Sequence, residues 1–272
     1  MASCVTVQYR VASQGGRNLK VLTSQRKRLI LDLLARDGQV VAKQLSHELE
    51  LSEDTIRRDL RELAAEGLLL RVHGGAMPVS PTTVPIHERR GIAPDAKVAL
   101  GKVGATLIED GMTVVFDGGT SNLEIIRHLP AGARFTAITH SPSIAVALED
   151  RVQVDVMIIG GRLFRHSMVT VGALTAEMIS RIRADLFFLG ATGVHPTAGL
   201  TTGDMEEAAI KRQLVSCSAE TAVLATNDKL GAVSPFQIGG LGDIAMLIVE
   251  SGVADERIAA FADRGVSVVR AH

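Results

Sequence analysis

The chain has 272 residues, 46% hydrophobic and 22% charged, with a formal net charge of −1. That balance is globular, and the length allows a small domain plus a larger one. No apolar run approaches the roughly 20 residues of a membrane span. Residues 1–20 lack the apolar block of a secretion signal, and Cys4 and Cys217 alone exclude a disulfide framework or a zinc spacing. A cytoplasmic setting without membrane contact is expected.

Residues 1–23 are polar, without sustained periodicity, and are expected to form a disordered arm or an extension. From Ser24 the pattern sharpens. Leu29, Ile30, Leu33 and Leu34 recur at helical spacing, and Gly38 ends that helix. A second short helix is expected over Ala42–Leu49, with Leu45 and Leu49 inward. Ser52 then offers its hydroxyl as an N-cap to a third helix lined inside by Ile56, Leu60 and Leu63. Gly67 is placed to end it in the left-handed conformation. Leu68–Val72 reads as a strand, with Gly74-Gly75 as a tight tip. Helix, helix, helix and hairpin make a winged helix-turn-helix over residues 24–77.

The charge distribution fits that reading. Residues 1–80 hold 12 Lys and Arg against 9 Asp and Glu, whereas the remainder holds 17 against 21. The modestly basic end is the one that would face DNA.

The third helix is expected to carry the DNA-reading residues. Arg57 and Arg58 lie in its first half, where a guanidinium can bond guanine O6 and N7. Arg61, Arg71 near the wing and Lys43 are placed for phosphates, which position without reading sequence. Ser52, Glu53, Thr55 and His73 complete the candidate DNA face. The competing reading is a solvated helix with internal ion pairs, since Asp54–Arg58 and Arg58–Glu62 are each at i,i+4.

These residues carry a resemblance. Residues 25–77 resemble the DNA-binding domain of the DeoR family of bacterial transcriptional regulators, through Thr55-Ile56-Arg57-Arg58-Asp59-Leu60 and Arg71-Val72-His73-Gly74-Gly75-Ala76. The resemblance implies a cytoplasmic metabolic repressor that leaves its operator when a phosphorylated sugar binds.

Pro78, Pro81, Pro85 and Pro94 are half of the chain's 8 prolines and mark residues 78–94 as an extended linker. Beyond it, over 95–272, strands and helices alternate. Strands are expected at Met112–Phe116, Phe135–Thr139, Val154–Ile159, Leu186–Leu189, Thr221–Ala225, Met246–Val249 and Val266–Val269. The intervening helices are Asp95–Glu109, Asn122–His128, Pro142–Leu148, Leu174–Ile182, Met205–Ser218 and Asp255–Ala262. The fold class is therefore α/β, a mainly parallel sheet covered on both faces.

Asp117-Gly118-Gly119-Thr120-Ser121 follows the first of these strands and opens a helix. Glycines let the backbone approach closely, and helix-start N–H groups with Thr and Ser hydroxyls can hold an anion. The loop is also simply a good turn. It is neither a Walker A loop nor a three-glycine dinucleotide loop. Thr139-His140-Ser141, Gly160-Gly161 and Gly190-Ala191-Thr192-Gly193 follow other strands, and such loops converge at the carboxyl edge of a parallel sheet. Glu207 and Lys211, at i,i+4, read as a surface pair. Lys229 lies after a strand, where it either reaches a phosphate or stays a solvated loop lysine.

Residues 95–250 likewise resemble the DeoR-type sensor domain, similar in fold to ribose-5-phosphate isomerase. Lys97, Asp117-x-Gly119-Thr120-Ser121, Thr139-x-Ser141, Gly160-Gly161, Gly190-x-x-Gly193, Glu206, Lys211 and Lys229-x-Gly231 match. The resemblance implies phosphate contacts from Gly119, Thr120 and Ser121 and polar contacts from Asp117, Glu206 and Lys229. Two departures stand out. His140 replaces a common Asn, and the usual Asp-x-Ser-Lys reads Thr226-Asn227-Asp228-Lys229, so the acid has moved next to the lysine.

The eight histidines show no metal-ligand spacing, and neither metal, cofactor nor covalent catalysis is expected. The expected partners are operator DNA, a phosphorylated sugar or related metabolite, and further copies of the chain in a dimer or tetramer. The rival is a sugar-phosphate isomerase with a DNA-binding appendage, using Asp117, Glu206 and Lys229. A third reading is an activator or architectural DNA binder without an effector.

Overall fold

The computed structural model describes residues 22–80 and 84–272. The expected arm over 1–23 therefore falls almost wholly outside the described residues. The first helix is α1 (Thr23–Asp37), followed by strand β1 (Val40–Val41), α2 (Ala42–Glu48) and α3 (Glu53–Ala65). A hairpin of β2 (Leu70–Val72) and β3 (Gly75–Met77) completes the first domain. β1, unexpected from the sequence because it spans only two residues, pairs with β3 as the third strand of the wing sheet. Ile30, Leu34, Leu45, Ile56, Leu60, Leu63 and Leu69 close a single apolar core. Leu49 is only partly buried against it. Ser52 caps α3 as expected, its Oγ accepting the Thr55 N–H at 3.2 Å. Gly67, at φ 73°, ends that helix.

One interaction in this domain crosses its core. Asp59, on the inner face of α3, takes the Arg26 guanidinium of α1 through both carboxylate oxygens, with Arg26 Nη2 to Oδ1 at 2.9 Å. Asp59 is 2% exposed, so this fork replaces the water both charges give up on burial.

The linker departs from expectation. It is docked rather than merely extended. Ser80 N–H donates to the Val233 carbonyl and Val233 N–H to that of Pro78, and Val79 bridges Val233 in parallel. A short helix, α4 (Ile86–Arg89), follows, with Pro85 as its N-cap residue. Pro85 accounts for the place where that helix starts, because proline disfavours helix before it and permits helix after it.

The larger domain runs α5 (Pro94–Thr106), β4 (Thr113–Phe116), α6 (Thr120–Arg127), β5 (Thr136–Thr139), α7 (Pro142–Ala147) and β6 (Asp155–Ile158). A hairpin of β7 (Arg162–Phe164) and β8 (Val169–Val171) leads to α8 (Ala173–Ile179) and β9 (Ala184–Leu189). Then come β10 (Gly193–His195), β11 (Gly199–Thr202), α9 (Met205–Ser216), β12 (Ser218–Ala225) and β13 (Phe236–Gly239). The last elements are β14 (Met246–Glu250), α10 (Asp255–Ala262) and β15 (Ser267–Ala271).

All seven strands expected from apolar runs are present. They form one parallel sheet in the order β15-β14-β12-β9-β4-β5-β6. Their side chains alternate between two cores. Val115, Phe187, Leu189, Val223 and Leu247 face one side. Val114, Phe116, Leu186, Phe188, Leu224 and Ile248 face the other, where the Phe116 and Phe188 rings stack at 5.4 Å. Both faces are buried, which is why the strands read as continuous apolar runs.

From β4 the chain winds outward through β5 to β6, and from β9 it winds the other way through β12 and β14 to β15. The winding direction thus reverses between β4 and β9. In a parallel sheet the connections beyond that point part to opposite faces and leave a crevice at the strands' carboxyl ends.

Candidate functional site

That crevice is occupied by polar groups. Asp117 follows β4 and Gly190 follows β9, so the two loops meet across the winding reversal. Asp117 is fully buried. Its Oδ1 accepts the Gly118 N–H at 2.7 Å and contacts His140 Nε2 at 2.8 Å. Its Oδ2 accepts the Gly190 N–H at 2.8 Å and faces Lys211 Nζ at 3.1 Å. A Cβ on Gly190 would lie 2.6 Å from the Gly118 carbonyl oxygen, so only glycine lets the two loops close this tightly.

Lys211, on α9, is the hub. It is 3% exposed and bridges Asp117 to Glu207 Oε1, 2.8 Å away, while also donating to the Gly190 carbonyl. Glu207 Oε2 in turn accepts from Thr202 Oγ1 at 3.0 Å and Ser167 Oγ at 3.3 Å. Burial alone would raise the Asp117 carboxyl. The Lys211 ammonium and the His140 contact outweigh it and bring Asp117 down to about 2. Burial pushes Lys211 down, but Asp117 and Glu207 overcome it and hold the ammonium above its ordinary value.

Over this triad lies a cleft. Gly118, Gly119 and Thr120 form one wall, at the N-terminus of α6. Thr226, Asp228 and Lys229 form another, and Arg89 and Lys97 a third. Lys229 is brought down to about 8, first by burial and then by the cations Arg89, Lys97 and Lys211, with Asp228 opposing. Lys97 and Arg89 are also lowered by burial. Among the described residues, Arg89 Nε, Ser121 Oγ, Thr226 Oγ1 and Asp228 Oδ2 are buried without a hydrogen-bond partner. Helix-start N–H groups, several cations and unspent hydroxyls together form a cradle for an anion that also carries polar substituents.

The sequence-expected residues divide into three sets. Gly119, Thr120, Gly190 and Lys229 line the cleft, and Asp117 and Ser121 lie against it. Thr139 and Ser141 are buried supports, their hydroxyls donating to the carbonyls of Phe116 and Met168. Glu206, Gly160 and Gly161 stand apart, a correction to their expected role. Glu206 is exposed and pairs with Arg162. Gly160 and Gly161 border a separate depression with Leu174 and Met178. Gly161 has φ 148°, and a Cβ there would strike Thr175 Oγ1 at 2.0 Å, so this glycine serves the turn.

The expected surface pair Glu207–Lys211 is a buried one. Its signal was present in the sequence, since Glu207, Lys211 and Leu214 share one helical stripe, i, i+4, i+7, with Leu214 in the core. Arg89 and Asp228 were missed as cleft residues. No local pattern marks Arg89, which arrives from the linker with Nη2 donating to the His166 carbonyl at 3.1 Å, while its own carbonyl accepts Lys97 Nζ at 2.6 Å. Among the described residues no group of three or more His, Cys, Asp or Glu side chains could hold a metal ion, and no helix is long and apolar enough to cross a membrane.

At the other end, α3 exposes Arg57, Arg58 and Arg61, and the wing exposes Arg71 and His73. Lys43 and Ser52 are also exposed, with Glu53 and Thr55 partly so. Arg57 pairs with Glu53 at 2.8 Å and Arg58 with Glu62 at 3.0 Å. The Asp54–Arg58 pair does not form, because Arg58 turns toward Glu62. Such exposed pairs are worth only about 0.3–0.5 kcal/mol and yield readily to a base edge or phosphate. Arg61, Arg71 and Lys43 form no ion pair with a carboxylate of the described residues.

Known proteins match both halves. The DeoR-like helix-turn-helix domain matches residues 26–82 and the DeoR C terminal sensor domain residues 92–251. The HTH-type transcriptional regulator GlpR of Haloferax volcanii is 34% identical over 92% of this chain and 98% of its own length. The HTH-type transcriptional repressor GlcR of Bacillus subtilis is 30% identical over 81% of this chain and 86% of its own. The Glycerol-3-phosphate regulon repressor of Escherichia coli is 28% identical over 80% and 87%. A solved ribose-5-phosphate isomerase A from Methanocaldococcus jannaschii overlaps 50% of this chain and 54% of its own, with a TM-score of 0.37 at 17% identity. A likeness of that degree assigns no activity. With a winged helix-turn-helix at one end, a cleft over Asp117 and Lys211 at the other and both domains matched in order, the chain belongs to the DeoR family of transcriptional regulators.

Proposed function

We propose that this regulator represses carbohydrate-metabolism genes and leaves its operator when a phosphorylated sugar enters the cleft. One observation carries the reading: the cleft combines the α6 N-terminus with Arg89, Lys97 and Lys229, the chemistry that holds a phosphate dianion. Two of the relatives named above bear the word repressor in their names, one of them of a glycerol-3-phosphate regulon. Base reading falls to Arg57 and Arg58, and phosphate contacts to Lys43, Arg61 and Arg71, with Ser52, Glu53, Thr55 and His73 at the margins of the same face.

Arg89 supplies the connection between the two ends. It belongs to the linker, yet it lines the cleft, so a ligand that engages it acts directly on the chain leading to the wing. Such coupling requires unequal ligand affinities for the DNA-bound and free arrangements.

The enzyme reading keeps Lys229, at about 8, as a candidate base, but loses the other two groups it needs. A general base works best with a pKa near the operating pH. Asp117 is held near 2 by the groups that surround it, and Glu206 lies outside the cleft with Arg162.

A dimer or tetramer is part of the proposal, since paired recognition helices multiply specificity at paired half-sites. β6 is an edge strand, and Val152, Met157, Ile158 and Leu163 are exposed on or near it, a surface suited to a second copy. The working compartment is the cytoplasm, where operator DNA is reached.

The test is a gel shift with DNA upstream of the gene's own operon, with and without a panel of sugar phosphates. A sequence-specific shift relieved by one of them is the expected result. No sequence-specific shift under any condition overturns the reading.

A further inference from the structure

We propose that Asp228 makes the cleft select phosphate esters bearing hydrogen-bond donors, and reject phosphorylated sugar acids. The inference rests on the reading that the cleft takes a phosphate. Three acidic side chains surround it. Asp117 is met by Gly118, His140, Gly190 and Lys211, and Glu207 by Lys211, Ser167 and Thr202. Both are spent. Asp228 differs: its Oδ2 is buried and without a hydrogen-bond partner among the described residues.

An ionised carboxylate only accepts hydrogen bonds. A buried acceptor left unused is costly, and a ligand that offers it a donor regains that cost. Thr226 Oγ1, two residues earlier in the chain and 1% exposed, is also without a partner among the described residues. The two atoms mark a polar wall that a phosphate alone does not satisfy, because phosphate oxygens seek the cations and N–H groups instead. A carbon chain with a hydroxyl or ammonium group does satisfy it. A ligand carboxylate placed there meets Asp228 as a like charge, with no donor to offer.

A serine at this position would tolerate a ligand carboxylate, because its hydroxyl both donates and accepts, whereas an aspartate does not.

The test uses the full-length protein and titration calorimetry with inorganic phosphate and two matched pairs of esters. Glycerol 3-phosphate and 3-phosphoglycerate differ by a hydroxymethyl against a carboxylate on the same skeleton. Glucitol 6-phosphate and 6-phosphogluconate, both open chains, extend the comparison to six carbons. Glucosamine 6-phosphate, set against glucose 6-phosphate, tells an ammonium donor from a hydroxyl. In at least one pair the polyol ester is expected to bind about tenfold or more tightly than its acid, as sites built around a polar contact discriminate. Asp228→Asn and Asp228→Ser should shrink that ratio to within about threefold, while inorganic phosphate, relieved of a like charge, binds at least as tightly as to the wild type. Phosphate binding with no preference in either pair, or a preference that survives both substitutions, overturns the assignment of Asp228 alone. Binding of inorganic phosphate but of no ester overturns it as well. Failure of every phosphate compound to bind overturns the phosphate reading, and this proposal with it.

Discussion

Replacing Lys211 by Met tests the buried triad most directly. Lys211 is 3% exposed, and its ammonium serves Asp117, Glu207 and the Gly190 carbonyl together. Met fills a similar volume without charge, so the cavity term is small and the electrostatic loss dominates. Two buried carboxylates then face each other without their cation. Breaking a buried ion pair by removing one partner costs roughly 3–5 kcal/mol. For a sensor domain of this size each kcal/mol moves Tm by about 2–4 °C, so the transition should fall by roughly 6–20 °C. The loss should depend on pH. In the wild type Asp117 is lowered to about 2, so its contribution is full above the ordinary Asp value and disappears as pH falls through 2. In the variant Asp117 loses the ammonium that outweighed its burial, and burial then raises it above its unfolded value. The penalty is largest at neutral pH and shrinks as pH falls toward about 4–5, where Asp117 takes up a proton. Calorimetric or fluorimetric melting at about pH 8 and about pH 5 measures the gap. Melting within about 2 °C of wild type, or a gap that does not narrow at the lower pH, would refute the triad as the organiser of this edge. Glu206→Gln is the control, an exposed pair worth at most about 1 kcal/mol.

The remaining predictions concern DNA, pH and coupling. Arg57→Ala and Arg58→Ala should each cost about 1–3 kcal/mol on the cognate operator and little on random DNA. Arg71→Ala should weaken both alike and lower the salt slope by about 0.9, so equal effects from all three on cognate and random DNA would refute this division. Lys229 is brought down to about 8 mainly by burial, and a phosphate dianion beside it would restore its proton. Phosphate-ester affinity should therefore fall as pH rises through 8, by up to about tenfold per unit, and Lys229→Met should flatten the slope. A wild-type profile flat across that range removes Lys229 from the site. Arg89→Ala should keep operator binding and retain weakened ester binding, yet lose release of DNA by the ester. Release that survives the substitution would place the coupling elsewhere.

The main sheet was legible because parallel strands buried on both faces leave apolar runs such as Val114–Phe116 and Leu247–Val249 in the sequence. The shorter strands were not. β10 and β11 contain Gly193, His195, Thr201 and Thr202, and three or four residues with little alternation resemble a loop. The site was legible where glycine and hydroxyl residues follow a strand, as at Gly119–Ser121. It was misread where spacing alone had to decide exposure. Glu206 and Glu207 are neighbours of the same type, and which one enters the cleft depends on how α9 rotates against the sheet. Leu214 and Ile210 set that rotation through burial.

Arg89 could not be found by any of these rules, because its position comes from the docking of the linker. Pro78–Ser80 pairs with Val233, the Ile86 N–H donates to the His166 carbonyl, and Lys97 holds the end of α4 through the Arg89 carbonyl. The linker is thereby attached to the sensor on both sides of residues 81–83, and its Arg89 side chain reaches the cleft. A guanidinium with a buried, unpartnered Nε is a strong donor that a phosphate oxygen can engage. A phosphate ester bound there would add to the attachments that fix α4 against the cleft. Fixing the linker restricts the positions open to the wing and to Arg57 and Arg58 beyond it. Paired half-sites at set spacing are sensitive to such a restriction, whereas a single recognition helix is not. An oligomer is thus part of the proposed release route, since a lone recognition helix gives the restriction nothing to act on.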